Sequence, residues 1–155
     1  MKFVEREDIE APIEYVFSQI SDFPALERSA MRRGAEVQRV DDQEQRGIGM
    51  AWQTSFMLRG KRRDMRLEMT DYDAPNCLVV ESSSANLAGH MMIDLVALSR
   101  RRTRMSVEIF VKPKTLSARL LLQSLKLART NLTRRFALRV AAYAKEVEDR
   151  FKAMV

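Results

Sequence analysis

The sequence is poor in the residues that most simply anchor chemistry. It holds one cysteine and one histidine in 155 residues. A lone Cys77 cannot close an internal disulfide or form a paired-thiol metal or redox site, so packing must hold the fold. A lone His90 excludes His-based metal clusters and repeated His acid/base chemistry. No Gly-rich phosphate loop and no carboxylate motif is present, so neither a metal nor a cofactor is expected. Five glycines and four prolines exclude a collagenous or low-complexity chain. No apolar run approaches the roughly 20 residues that cross a bilayer. The opening MKFVEREDIE is too acidic for a signal or transit peptide, which leads to a cytoplasmic expectation.

What is present suits one soluble domain over residues 1–155: 46% hydrophobic and 31% charged residues, enough for a sizeable core. The charge is uneven. Residues 115–155 carry nine bases against three acids, which accounts for the whole formal net charge of +6. The remainder is neutral, yet its bases cluster in Arg59-Gly60-Lys61-Arg62-Arg63 and Arg100-Arg101-Arg102-Thr103-Arg104. Such clusters serve either as solvated turns or as attraction to an anionic surface.

A first strand is expected at about 2–10. Ala11-Pro12 then opens a helix to about residue 20, with Ile13, Val16, Phe17 and Ile20 at helical spacing. Ser21-Asp22 before Phe23-Pro24 starts a second short helix ending near Arg33-Gly34. The period then changes to two: Ile48, Met50, Trp52, Phe56 and Leu58, then Met65, Leu67 and Met69 after the Gly60 turn, predict a hairpin. Strands follow at Leu78–Glu81 and at about 90–98 and 103–111. From Thr115 to Phe151 there is neither Gly nor Pro, and Leu121, Leu125, Ala128, Leu132, Phe136, Val140, Tyr143 and Val147 step by three or four. This predicts one amphipathic helix of about 35 residues.

The segment Ile9-Glu10-Ala11-Pro12-Ile13-Glu14-Tyr15-Val16-Phe17 with Ile20-Ser21-Asp22-Phe23, the Gly49-x-x-Trp52 strand, Thr103-Arg104 and the long closing helix resemble the START/Bet-v-like superfamily. The likeness is to its polyketide cyclase-like and coenzyme-Q-binding branch. It implies an α+β helix-grip fold: a seven-stranded antiparallel sheet curled around the C-terminal helix, with two short helices after strand one. It also implies an apolar cavity, which family members use for lipids, sterols, quinones, polyketides or plant hormones. The motifs are packing and capping residues, so they speak for fold rather than for a single function.

The residues expected to line that cavity are Met50, Trp52, Phe56, Leu58, Met65, Leu67 and Met69 from the first hairpin. Met91, Ile93, Leu95, Met105, Val107 and Ile109 come from the later strands, and Leu121, Leu125, Ala128, Leu132 and Phe136 from the helix. Methionine is flexible and polarizable, so a wall rich in it adapts to varied apolar ligands. At these spacings the same residues equally suit an ordinary core. Arg59, Lys61, Arg62, Arg63, Lys112, Lys114 and Arg119 are expected to ring the mouth, where they would meet an anionic membrane surface.

Reactive candidates are few. The expected register turns His90 and Asp94 outward, and a slip of one residue would turn both into the cavity. Cys77 has no basic neighbour in sequence, and Ser82-Ser83-Ser84 lacks a nucleophile-elbow context. The reading that follows is a noncatalytic binder or carrier of a hydrophobic small molecule. Its alternatives are a cyclase or dehydratase with His90, Tyr15, Tyr72 or Tyr143 as proton donor, and a regulatory module for a protein or ribonucleoprotein partner. Direct nucleic-acid recognition is disfavoured because the basic stretches lack interleaved aromatics. The sequence leaves the oligomeric state open.

Overall fold

The computed structural model describes residues 1–155. The elements run β1 (Lys2–Ile9), α1 (Ile13–Ile20), α2 (Phe23–Arg32), β2 (Glu36–Arg39), β3 (Ala51–Leu58) and β4 (Lys61–Asp73). They continue through β5 (Cys77–Ser83), β6 (Leu87–Ser99), β7 (Arg102–Pro113), α3 (Leu116–Leu127) and α4 (Arg129–Met154). The strands form one antiparallel sheet in the order β1-β7-β6-β5-β4-β3-β2. The architecture is α+β with the helices on one face of the sheet, a helix-grip arrangement.

Local chemistry sets the element ends. Asp22 caps α2 by accepting from the Ala25 amide at 3.3 Å, with Pro24 in the first turn. Thr115 caps α3 in the same way through the Ala118 amide at 3.2 Å. The buried Thr103 hydroxyl donates to the Ala11 carbonyl at 2.8 Å, tying the start of β7 to the turn between β1 and α1. Beside it, Arg104 and Asp8 pair at 2.9 Å across the same two strands.

Three expectations need correction. Ile48 and Met50 precede β3 rather than belonging to it, and Ile48 is exposed. The strand that pairs there, β2, is Glu-Val-Gln-Arg, whose one apolar residue gives no alternation to read. It is held instead by Asp41, whose carboxylate accepts from Arg39, from the Gln43 amide and from the Ala51 amide. The third correction concerns the closing helix, which is two helices. Ala128 leaves helical geometry (φ −102°, ψ 17°), and its amide bonds Leu125 rather than continuing the regular ladder. Neither Gly nor Pro marks the break. It coincides with Arg129 donating to the Lys2 carbonyl at 3.1 Å and lying 5.5 Å over the Phe3 ring, a tertiary anchor invisible to local patterning.

The main core lies at one end of the sheet. Ile9, Val16, Phe17, Ile20, Met50, Met69, Leu78, Leu95, Met105 and Val107 pack there beneath Val140, Ala144 and Val147 of α4. At the other end a much smaller cluster, Leu87, Ala118 and Leu122, fastens α3.

Candidate functional site

Between these two clusters the concave face is not filled. An apolar chamber of about 520 Å³ has Phe56, Leu58, Met65, Leu67, Met91 and Ile109 as its floor. Leu121, Leu122, Leu125, Leu132 and Phe136 from α3 and α4 form its roof. A second chamber of about 310 Å³ lies under α2, where Phe23, Leu26 and Ala30 face Val37, Trp52 and Ile93. The two share Leu67, Val80 and Met91, so one apolar trough runs along the sheet. A polar recess of about 660 Å³ adjoins the first chamber, sharing Met65, Leu87 and Leu121 with it. Its walls are residues 61–66 of β4, the link 83–87 between β5 and β6, and the first turn of α3.

The recess has a topological cause. Pairing of β4 with β5 begins at Arg66↔Ser83, so residues 61–65 of β4 pair only with β3 and leave the sheet open beside the link. Lys114 closes the far side of that link through the Ser84 carbonyl at 2.9 Å.

The expected cavity residues divide between chamber and core. Phe56, Leu58, Met65, Leu67, Met91, Ile109, Leu121, Leu125, Leu132 and Phe136 line the α3 side, while Trp52 and Ile93 line the α2 side. Met50, Met69, Leu95, Met105 and Val107 sit on the concave face but inside the closed core, and Ala128 occupies the helix break. Alternation identified the face but not the division along it, because period two says nothing about where the helices press down. The walls also include Met1, Phe3, Val80, Leu87, Val111 and Leu122. Of these, Leu87 extends β6 past its expected limit, and Val80 and Val111 lay in expected strands without being assigned to the wall.

The basic set is likewise divided. Lys61, Arg62 and Arg63 line the recess, and Lys114 holds its rim. Arg59 is exposed in the β3–β4 turn at φ 54°, Arg119 is exposed on α3, and Lys112 borders a separate groove on the convex face. These three lie outside the recess.

The register turns the His90 side chain to the convex face, although His90 and Phe110 also border the chamber. Its Nε2 lies 2.7 Å from the Glu108 carboxylate, and its ring stacks on Phe110. Lys2 reaches the same carboxylate at 3.3 Å. The His90 bond and the Lys2 pair hold the Glu108 carboxyl below its usual range. Asp94 pairs with Cys77 across β5 and β6, away from the chamber. Burial, then the charges of Asp94, Asp71 and Asp73, push the Cys77 thiol up, which disfavours a reactive thiolate.

The tyrosines gather at the closed end. Tyr15 packs on Phe151 and Tyr72 on Phe17. Tyr143 borders a groove between α2 and α4, and burial pushes its phenol up to about 12. The polar side chains on the trough walls are few. Thr54 already donates to the Met65 carbonyl at 2.9 Å, Glu27 accepts from the Trp52 indole at 3.0 Å, and Ser82 stands in the floor.

A long terminal helix laid over a curled seven-stranded antiparallel sheet, with an unfilled apolar trough between them, has counterparts among solved structures. The chain has a START-like fold. TTHA0849 from Thermus thermophilus superposes with a TM-score of 0.68 at 16% identity, over 99% of each chain. The Zhui aromatase/cyclase from a Streptomyces species gives 0.66 at 12% identity, over 97% of this chain and 94% of that one. A START superfamily protein from Mycobacterium smegmatis gives 0.57 at 12% identity, over 86% and 95%. No family model and no curated protein matches the sequence. The START-like fold therefore rests on shape, and its function must be argued from this chain's own walls. No helix is long and apolar enough to cross a membrane.

Proposed function

We propose that the protein binds and carries a hydrophobic small molecule of lipid, quinone or polyketide-like character in the trough beneath α2, α3 and α4. The observation that carries this reading is the trough itself: a concave, almost wholly apolar space bounded by flexible methionines and leucines, with few polar groups to fix orientation. Binding is favoured over catalysis because Ser82 in the floor has no hydrogen bond to a base, and His90, although it borders the chamber, turns its ring onto Glu108 and Phe110 on the other face of the sheet. The Zhui neighbour keeps a cyclase-like role as the alternative, and one result would promote it: turnover of an aromatic polyketide analogue that stops when Ser82 is changed to Ala.

The test is extraction of the purified protein followed by mass spectrometry, with titration of a fluorescent fatty acid followed through Trp52, which lines the trough. A co-purifying apolar molecule and a saturable change in Trp52 emission are expected. An empty extract together with unchanged emission at saturating probe overturns the proposal.

A second reading, peripheral docking on an anionic membrane, is favoured by α3. Leu116, Leu120 and Leu127 are exposed, the last at 92%, although they belong to the helix that roofs the trough. Arg119, Lys126 and Lys114 flank them. An apolar stripe edged by bases suits an interface with acidic lipid headgroups, where each base adds about 1 kcal/mol. Sedimentation with phosphatidylserine vesicles tests it. Leu116→Ser/Leu120→Ser is expected to lose binding, whereas Arg100→Glu/Arg101→Glu at the opposite end of the sheet retains it. Undiminished binding by Leu116→Ser/Leu120→Ser, with loss in Arg100→Glu/Arg101→Glu, would reduce the effect to net charge and reject α3 as the docking surface.

A further inference from the structure

The recess at the end of the trough contains one side chain that the fold leaves unsatisfied. Arg63 pairs with Phe56 across β3 and β4, so both project from the concave face, and Met65 and Leu67 follow it on the same side. Its Nε is buried and has no hydrogen-bond partner. No carboxylate lies within ion-pair distance of it. By contrast Arg62, one residue earlier and on the other face, is fully engaged by Glu36, Asp64 and Ser55. The one carboxylate bordering the recess, Asp64, is already taken by Ser55 at 2.6 Å and by Arg62 at 3.4 Å, which lower its pKa. Lys61 and Arg66 add further positive charge to the walls.

Hiding a guanidinium N–H without a partner is costly, and native structures rarely leave one without a reason. The guanidinium fork is shaped for the two oxygens of a carboxylate or phosphate. Its position matters as much as its chemistry, because the recess it lines shares Met65, Leu87 and Leu121 with the apolar chamber. A molecule extending from the chamber into the recess would place its end at this arginine.

We propose that Arg63 receives the oxyanion head, carboxylate or phosphate, of an amphiphile whose apolar tail lies in the trough. This rests on the trough being a ligand site and names the class of ligand it takes. Arg63 thereby acts as the specificity residue that separates a long-chain acid from the corresponding alcohol. The neighbouring bases guide the anion inward and Arg63 pairs with it.

The experiment is displacement of a dansylated fatty acid by palmitate, hexadecyl phosphate and hexadecanol, with wild type and Arg63→Met. In the wild type at least one of the two anions should displace the probe at tenfold or more lower concentration than the alcohol. Whichever anion is stronger identifies the head. In Arg63→Met that preference should vanish while hexadecanol affinity stays within about twofold, since the apolar tail is held elsewhere. Arg63→Lys should restore part of the preference, as charge survives without the fork. Thermal unfolding of each variant verifies that the fold persists. Equal potency of anions and alcohol in the wild type, or a preference that survives in Arg63→Met, overturns the role of Arg63 while leaving the trough intact. Probe binding by no variant, and displacement by no lipid, overturns the trough itself.

Discussion

The two ends of the sheet are built from the same kinds of residue and reach opposite outcomes. At the α1 end, Met105 is 1% exposed beneath the second half of α4; on the adjacent strand toward α3, Met91 faces the same side of the sheet and is 37% exposed. Both belong to alternating apolar strands, and nothing in their immediate sequence separates them. What separates them is the lid above. α4 supplies Val140, Ala144 and Val147 directly onto one end, while α3 is fastened by only Leu87, Ala118 and Leu122 at the other. Stability is therefore concentrated where the helix presses down, and the unfilled half is free to take a ligand.

Matched truncations give the sharpest test of this division. Met105→Ala should cost about 2–5 kcal/mol in denaturant unfolding, the range for a fully buried side chain losing its contacts. Met91→Ala should cost less than about 1 kcal/mol, because the chamber beside it is already open, and should alter probe affinity instead. Equal destabilisation by the two would show that the trough is as tightly packed as the core.

Next in size is the latch that follows β2. Removing the Asp41 carboxylate, with its bonds to the Ala51 and Gln43 amides and to Arg39, should cost about 1–3 kcal/mol in Asp41→Ala. The Arg39 bond, reinforced by the two amides, holds the Asp41 carboxyl far below its ordinary value of 3.8. A group whose folded pKa is depressed stabilises fully above its unfolded pKa and loses that contribution as pH falls through the folded one. Asp41→Ala should therefore show a wild-type advantage that is constant above pH 5 and shrinks once pH drops below about 4. Chemical unfolding across that range measures it, and an advantage independent of pH would assign the effect to packing.

Hydrogen exchange probes the same contrast without mutation. Amides of Leu116–Leu127 should exchange faster than those around Val140–Val147, since the former sit over a chamber and the latter over a core. Matching protection would mean that α3 and α4 open as one unit. The smallest effect is expected on the convex face. His90→Gln should leave probe affinity within about twofold, because the imidazole, although His90 borders the chamber, is engaged by Glu108 and Phe110 on the convex face. A larger change would couple the two faces of the sheet.

Local chemistry in the sequence predicted most of the fold. Pro12, the Asp22 cap, the Gly60 turn, the Thr115 cap and the period-two strands all rest on interactions within a few residues, and the structure agrees with them apart from the start of β3. β2 and the break at Ala128 escaped because their causes are distant: the Asp41 latch in one case and the Arg129 contact with β1 in the other. The same limit governs the site. Alternation places Met50, Met65, Met69 and Met91 on one face, yet only tertiary packing decides which of them meet a helix and which meet a space. Arg63 was legible as a base near a turn. Its turn toward the concave face needed the exact pairing Phe56↔Arg63, and its unsatisfied Nε needed coordinates.

The interruption at Ala128 also makes the roof of the trough a separable part. α4 keeps its register on β1 through Arg129 and its grip on the core through Val140 and Val147, whatever the preceding twelve residues do. Residues inserted or removed just before Ala128 would reposition Leu121 and Leu125 without shifting the helix that holds the molecule together. Exchange of that one cassette offers a route to retuning the size and shape of the bound molecule while the scaffold beneath it stays as it is.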